Sequence, residues 1–126
     1  IAYKEMNLCR QAVDLAQKAL RKIQKKGEKS KQLAILELDC ILLMGTCYRH
    51  QKSYFDSISL LEKTLHSAQG LSLPYRLALL YQLALALEGS GNFNKALYFL
   101  RKIEKEDKRY RDIQERINAI RKKRHV

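Results

Sequence analysis

The sequence predicts an all-α chain built as a stack of antiparallel helix pairs, and three observations lead there. Apolar residues recur at helical spacing through nearly the whole chain, and nothing alternates apolar and polar at period two for more than a few positions. The pattern of residues 38–71 returns 39 positions later at residues 77–110, so that Gly45 matches Ala84, Tyr54 matches Phe93 and Ser57 matches Ala96. Five glycines and one proline in 126 residues are too few for a sandwich of short strands. Repetition at a fixed period within a helical pattern means that each pair buries its apolar face against its neighbours.

Each element follows from local signals. Residues 2–26 place Leu8, Ala12, Leu15, Ala16, Ala19, Leu20 and Ile23 at helical spacing, and Gly27 stands where a helix would end. A second helix is expected over residues 29–50. Its stretch 41–44 is apolar nearly all round, which predicts burial between neighbours. After the turn 51–53, Ser53 and Asp56 form a capping-box pattern, so the third helix should start at Tyr54, run to Ala68 and close at Gly70. Ser72 is placed to cap the fourth, with Pro74 in its first turn, where a missing N–H does no harm. That helix ends at Gly89-Ser90-Gly91, and Asn92 caps a fifth from Phe93 to Lys105. The last, residues 110–122, should bury Ile113, Ile117 and Ile120 and leave Arg111, Asp112, Glu115, Arg116 and Arg121 outside. The whole is expected to be one domain, with a partial repeat at 1–26, repeats at 38–71 and 77–110, and a capping helix at 110–123.

These residues resemble the tetratricopeptide repeat, a helix–turn–helix unit. Ile41, Met44-Gly45, Tyr48, Tyr54, Ser57, Leu61 and Thr64 match its pattern in one copy. Leu80, Leu83-Ala84, Leu87, Phe93, Ala96, Leu100 and Ile103 match it in the next. Residues 11–20 look like the second helix of an earlier copy, with Ala12 and Ala19 at the small positions. The match departs from the family in spacing, 45 from Ala12 to Ser57 and 39 from Ser57 to Ala96, and Gln69 and Lys108 stand where a closing proline is usual. The resemblance implies a right-handed superhelical stack, an α-solenoid, whose first helices line a concave groove. Carried over by position, that groove is lined by Asp39, Leu42, Leu43, Thr46, Arg49 and His50, then by Ala78, Tyr81, Gln82, Leu85 and Glu88. The Lys, Asn and Arg that clamp a carboxylate in some members are replaced here by Leu42, Thr46, Tyr81, Gln82 and Leu85. A mixed apolar groove of this kind suits a hydrophobic or amphipathic peptide or helix. Independently of the resemblance, Gly45 inside a helix costs about 1 kcal/mol against Ala, which points to a close helix–helix approach at that point.

The formal net charge of +12 is unevenly placed: residues 1–36 and 101–126 each carry +6, and residues 37–100 carry none. Basic ends attract acidic partners through a salt-sensitive field. Arg121-Lys122-Lys123-Arg124 is the densest run, suited either to acidic-partner contacts or to complementing a helix C-terminus. Three cysteines without CxxC spacing argue against a disulfide framework and against zinc, and suit a reducing, cytoplasmic setting. Cys40 and Cys47, seven apart on one helix, cannot bond to each other. The longest apolar run, 77–87, is about half the length that crosses a bilayer. The chain starts at Ile1 without an initiator Met, which reads as a trimmed N-terminus and makes the lack of a signal peptide uninformative.

No enzyme is expected. His50, His66 and His125 lie on separate elements without metal-ligand company, and the Gly89-Ser90-Gly91-Asn92 run lacks the strand and lysine of a phosphate loop. Nothing places a base beside an activated hydroxyl, and no cofactor or metal is implied. The expected function is a scaffold binding a protein or peptide. Two alternatives compete: nucleic-acid binding by the basic ends, which the scatter of Tyr3, Tyr75, Tyr98 and Tyr110 does not favour, and an architectural or self-associating segment of a larger protein.

Overall fold

The computed structural model describes residues 3–25, 31–68 and 70–124, with side chains from Leu8 onward. Among them are six α-helices and no strand: α1 (Tyr3–Lys25), α2 (Lys31–His50), α3 (Tyr54–Ser67), α4 (Leu73–Gly89), α5 (Phe93–Glu106) and α6 (Ile113–Arg124). Each helix packs on the next in the chain, and α2 also packs on α4. The expected helical stack is therefore the observed fold. Gly27 and His125 lie outside the described residues.

The core centres on α4. Leu77, Leu79, Leu80, Tyr81 and the whole run 83–87 are buried, because α3, α5 and α2 surround this helix. The all-round burial expected of residues 41–44 belongs here instead: in α2, Ile41 and Met44 are buried, but Leu43 is 45% exposed. At the far end Ile113, Ile117 and Ile120 of α6 are buried as their spacing predicts, and they join Ala96, Leu100 and Ile103 of α5 in the same cluster.

The 39-residue offset holds at the level of single hydrogen bonds. In the α2–α3 turn the N–H groups of Gln51, Lys52 and Ser53 donate to the carbonyls of Cys47, Arg49 and Tyr48; in the α4–α5 turn those of Ser90, Gly91 and Asn92 donate to Ala86, Glu88 and Leu87. The side-chain caps differ. Asn92 Oδ1 accepts from the Lys95 N–H at 3.3 Å, as expected. Ser53 and Ser72 stand at the N-cap positions without a side-chain cap bond, so the capping box read from Ser53 and Asp56 does not form. Asp56 still places a negative charge in the first turn of α3, where the helix dipole favours it.

Candidate interaction surface

The residues assigned to a groove lie on α2 and α4, which pack on each other. The first part of the surface is apolar and open. Leu43 is exposed, Leu42, Thr46 and Ala78 are half-buried, and exposed Asp39 accepts a hydrogen bond from the Tyr75 hydroxyl at 2.8 Å. That bond, more than burial, holds the Tyr75 pKa above 10.0.

The second part is polar and closely knit. Arg49 reaches from α2 to Gln82 of α4, with Nη2 donating to Oε1 at 3.4 Å, and Nη2 lies 3.1 Å from His50 Nε2. Arg49 Nε is buried without a hydrogen-bond partner among the described residues. Burial first, and then the charge of nearby Arg116, pull the Arg49 pKa below the ordinary guanidinium value. Two guanidinium groups therefore repel one another at this end of the surface.

Tyr81 and Leu85 sit deeper than a groove lining requires, at 5% and 8% exposure. The segment that enters α6 covers Tyr81. Tyr110 packs edge-on against its ring at 5.8 Å, and the Arg111 guanidinium lies 4.9 Å from the ring centroid. The Tyr81 hydroxyl donates to Asp112 Oδ1 and accepts from Arg116 Nε at 3.2 Å; Arg116 also reaches Asp112 Oδ2 at 3.0 Å and Glu88 Oε1 at 3.3 Å. Glu88 takes a second cation, Lys123, at 3.3 Å. The sequence reading put Asp112 and Arg116 outside; in the fold both are half-buried and turned onto α4. The missed signal is chemical: a tyrosine and a glutamate seven apart on a mostly apolar helix need polar partners.

Arg49, Arg111, Arg116 and Lys123 lie around the paired carboxylates of Glu88 and Asp112. The terminal basic run divides: Lys123 holds Glu88, and Arg124 Nη1 donates to Asn94 Oδ1 at 3.1 Å, whereas Arg121 and Lys122 project from an exposed last turn. The remaining histidine of the described part, His66, is exposed on α3.

Two surface hollows lie elsewhere. One of about 400 Å³ has a floor of Leu80, Leu83 and Phe99, and one of about 450 Å³ lies between α2 and the α3–α4 turn. Among the described residues no three His, Cys, Asp or Glu side chains converge as metal ligands, and no helix is long and apolar enough to cross a membrane. The three cysteines are free.

No curated protein matches the chain. The family model described as tetratricopeptide repeat matches residues 37–105, more than half of the sequence, and spans the two helix pairs whose turns repeat bond for bond. By that match and by its helical stack, this chain belongs to the tetratricopeptide repeat family.

Proposed function

We propose that this chain is a non-enzymatic scaffold that binds an acidic segment of a partner protein across the α2–α4 face. Tetratricopeptide repeats generally mediate protein–protein interaction. The observation that supports an acidic partner is the half-buried Arg49, with an unpartnered Nε and a second guanidinium, Arg116, as neighbour. A buried donor without an acceptor costs free energy, which Arg49 recovers by turning outward, and a carboxylate laid along the face would meet it there and offset the charge of both guanidinium groups. Leu43, Leu42 and Ala78 supply the apolar part of the contact, with Thr46, His50, Gln82 and Asp39 along its polar edges. Tyr81, Leu85 and Glu88 act from beneath, by holding the position of Arg116 and the floor of the face.

Affinity capture at low and moderately high salt, with the wild-type domain and a Leu43→Arg/Arg49→Glu bait, tests the reading. The expected result is a protein retained by wild type at both salt concentrations and lost with the variant. Nucleic acid captured only at low salt, equally by both baits, would move the activity to the exposed cations of the chain ends and overturn the proposal.

A further inference from the structure

The hollow of about 400 Å³ over Leu80, Leu83 and Phe99 is walled entirely by α3, α4 and α5. Two of the walls are single helical rows. Arg76, Leu80 and Leu83 follow one another at spacings of four and three on α4, and Lys95, Phe99 and Lys102 do the same on α5. Two ion pairs fix the register of the helices. Lys95 Nζ meets Glu62 Oε1 of α3 at 3.1 Å, and Arg76 Nη2 lies 3.8 Å from Glu106 Oε1, one turn beyond Lys102. The hollow therefore has unlike ends. The Lys95–Glu62 pair closes one of them with no net charge. The other gathers Arg76, Lys102 and the ring of His66, which stands one turn past Glu62. Its two cations are lightly held. The Arg76–Glu106 pair is exposed on both sides, and such pairs contribute little. Lys102 Nζ rests over the rings of Tyr98 and Phe99, at 4.8 and 5.9 Å from their centroids, rather than on a carboxylate.

The 39-residue offset separates what the repeat needs from what this hollow adds. Leu80, Leu83 and Phe99 correspond to Ile41, Met44 and Leu60, so the apolar floor recurs. Arg76 and Lys95 correspond to Glu37 and Asp56, so the basic rim does not. Packing one helix pair on the next calls for the floor and leaves the rim free to vary. An apolar floor with cations gathered at one end complements a small molecule of matching polarity, and the volume falls within the range of about 300–1,000 Å³ usual for ligand sites.

We propose that this hollow binds a small amphipathic carboxylate, with its apolar body on Leu80, Leu83 and Phe99 and its head between Arg76 and Lys102. Sodium octanoate is the probe, titrated into the chain with its leucine methyl groups labelled for NMR. Saturable shifts of the Leu65, Leu80 and Leu83 methyls are expected, with a Kd at or below about 1 mM. Arg76→Glu/Lys102→Glu should weaken binding at least about tenfold, with the melting temperature unchanged because both side chains are exposed. Arg121→Glu/Lys122→Glu, the same change of charge away from the hollow, should leave the affinity within about twofold. Acetate, the head alone, and octylammonium, with the opposite charge, should not shift these methyls at the same concentration. Octanoate that fails to saturate by about 10 mM, octylammonium binding as tightly, or equal weakening by the two double variants would overturn the proposal. So would saturable shifts confined to Leu42, Leu43 and Leu85, which would move the ligand to the α2–α4 face.

Discussion

The Ser57 hydroxyl donates to the carbonyl of Gly45 at 2.7 Å, both residues are buried, and this bond fixes how closely α3 approaches α2. A Cβ on Gly45 would stand 2.9 Å from Leu61 Cδ2, inside contact distance of a side chain with 0% exposure. The Gly45→Val variant should therefore lose about 2–3 kcal/mol through overpacking. Ser57→Ala, which keeps the shape and removes the bond, should lose about 1 kcal/mol. Urea unfolding of both variants measures the two values, and equal losses would contradict the packing argument.

Lys52 adopts φ 63 at the place in its turn where Gly91, 39 positions on, adopts φ 88. A side chain in the left-handed region costs about 1–2 kcal/mol, which glycine avoids. Lys52→Gly should stabilise the domain by about 0.5–1 kcal/mol after glycine's larger unfolded-state entropy is subtracted, and Gly91→Ala should destabilise it by about 1 kcal/mol. Opposite signs for the two substitutions in thermal melts are the expected result.

Cys47 is 4% exposed, and its thiol pKa is pushed up to about 12, chiefly by burial and then by hydrogen bonding and charge interaction with Cys9. The thiolate is the reactive species. Iodoacetamide at pH 8 should modify Cys47 only after denaturant is added, and mass spectrometry of the native reaction should find that peptide unmodified. Native labelling at Cys47 as fast as in urea would show that α1 opens from α2.

The helices were legible from periodicity because burial follows the spacing of apolar residues, and the fold of the repeat followed from Gly45, Ser57 and the 39-residue offset. The caps were less legible. Ser53 has the right residue type at the right place and nearly the backbone of Asn92, φ −85 and ψ 63 against φ −87 and ψ 75, yet its hydroxyl makes no cap bond where the Asn92 side chain does. The candidate site was readable as a set of helix faces, yet not as a surface. Tyr81 reads as a groove residue on α4, and only the fold shows Tyr110, Arg111 and Arg116 closing over it. Contacts between residues about 30 apart that depend on the entry angle of α6 leave no local periodicity to detect.

The cap over Tyr81 should be the pH-sensitive part of the stack. Burial works against the ionised Asp112 carboxyl, but the Tyr81 hydroxyl, the Arg116 charge, its own backbone N–H and the Arg116 hydrogen bond outweigh it and hold the pKa below 3.8. A carboxyl with a depressed folded-state pKa contributes stability above its unfolded value, and that contribution disappears as pH falls through the folded value. Asp112→Asn should therefore lower stability at neutral pH and converge with wild type in acid, below the ordinary carboxylate range. Arg116 follows the same logic from the cationic side: burial opposes its charge, yet Tyr81, Asp112 and Glu88 raise its pKa above the ordinary guanidinium value, so it stays protonated throughout this range. Tyr81→Phe, which removes one buried hydroxyl and two hydrogen bonds, should cost about 1–2 kcal/mol at neutral pH and weaken protection of the α6 amides. Hydrogen exchange across residues 113–124 at neutral and acid pH reads both effects. Faster exchange confined to α6 in Tyr81→Phe, with wild type approaching the Asp112→Asn rate in acid, is the expected outcome; uniform loss of protection over all six helices would mean that the network supports the whole core rather than the cap.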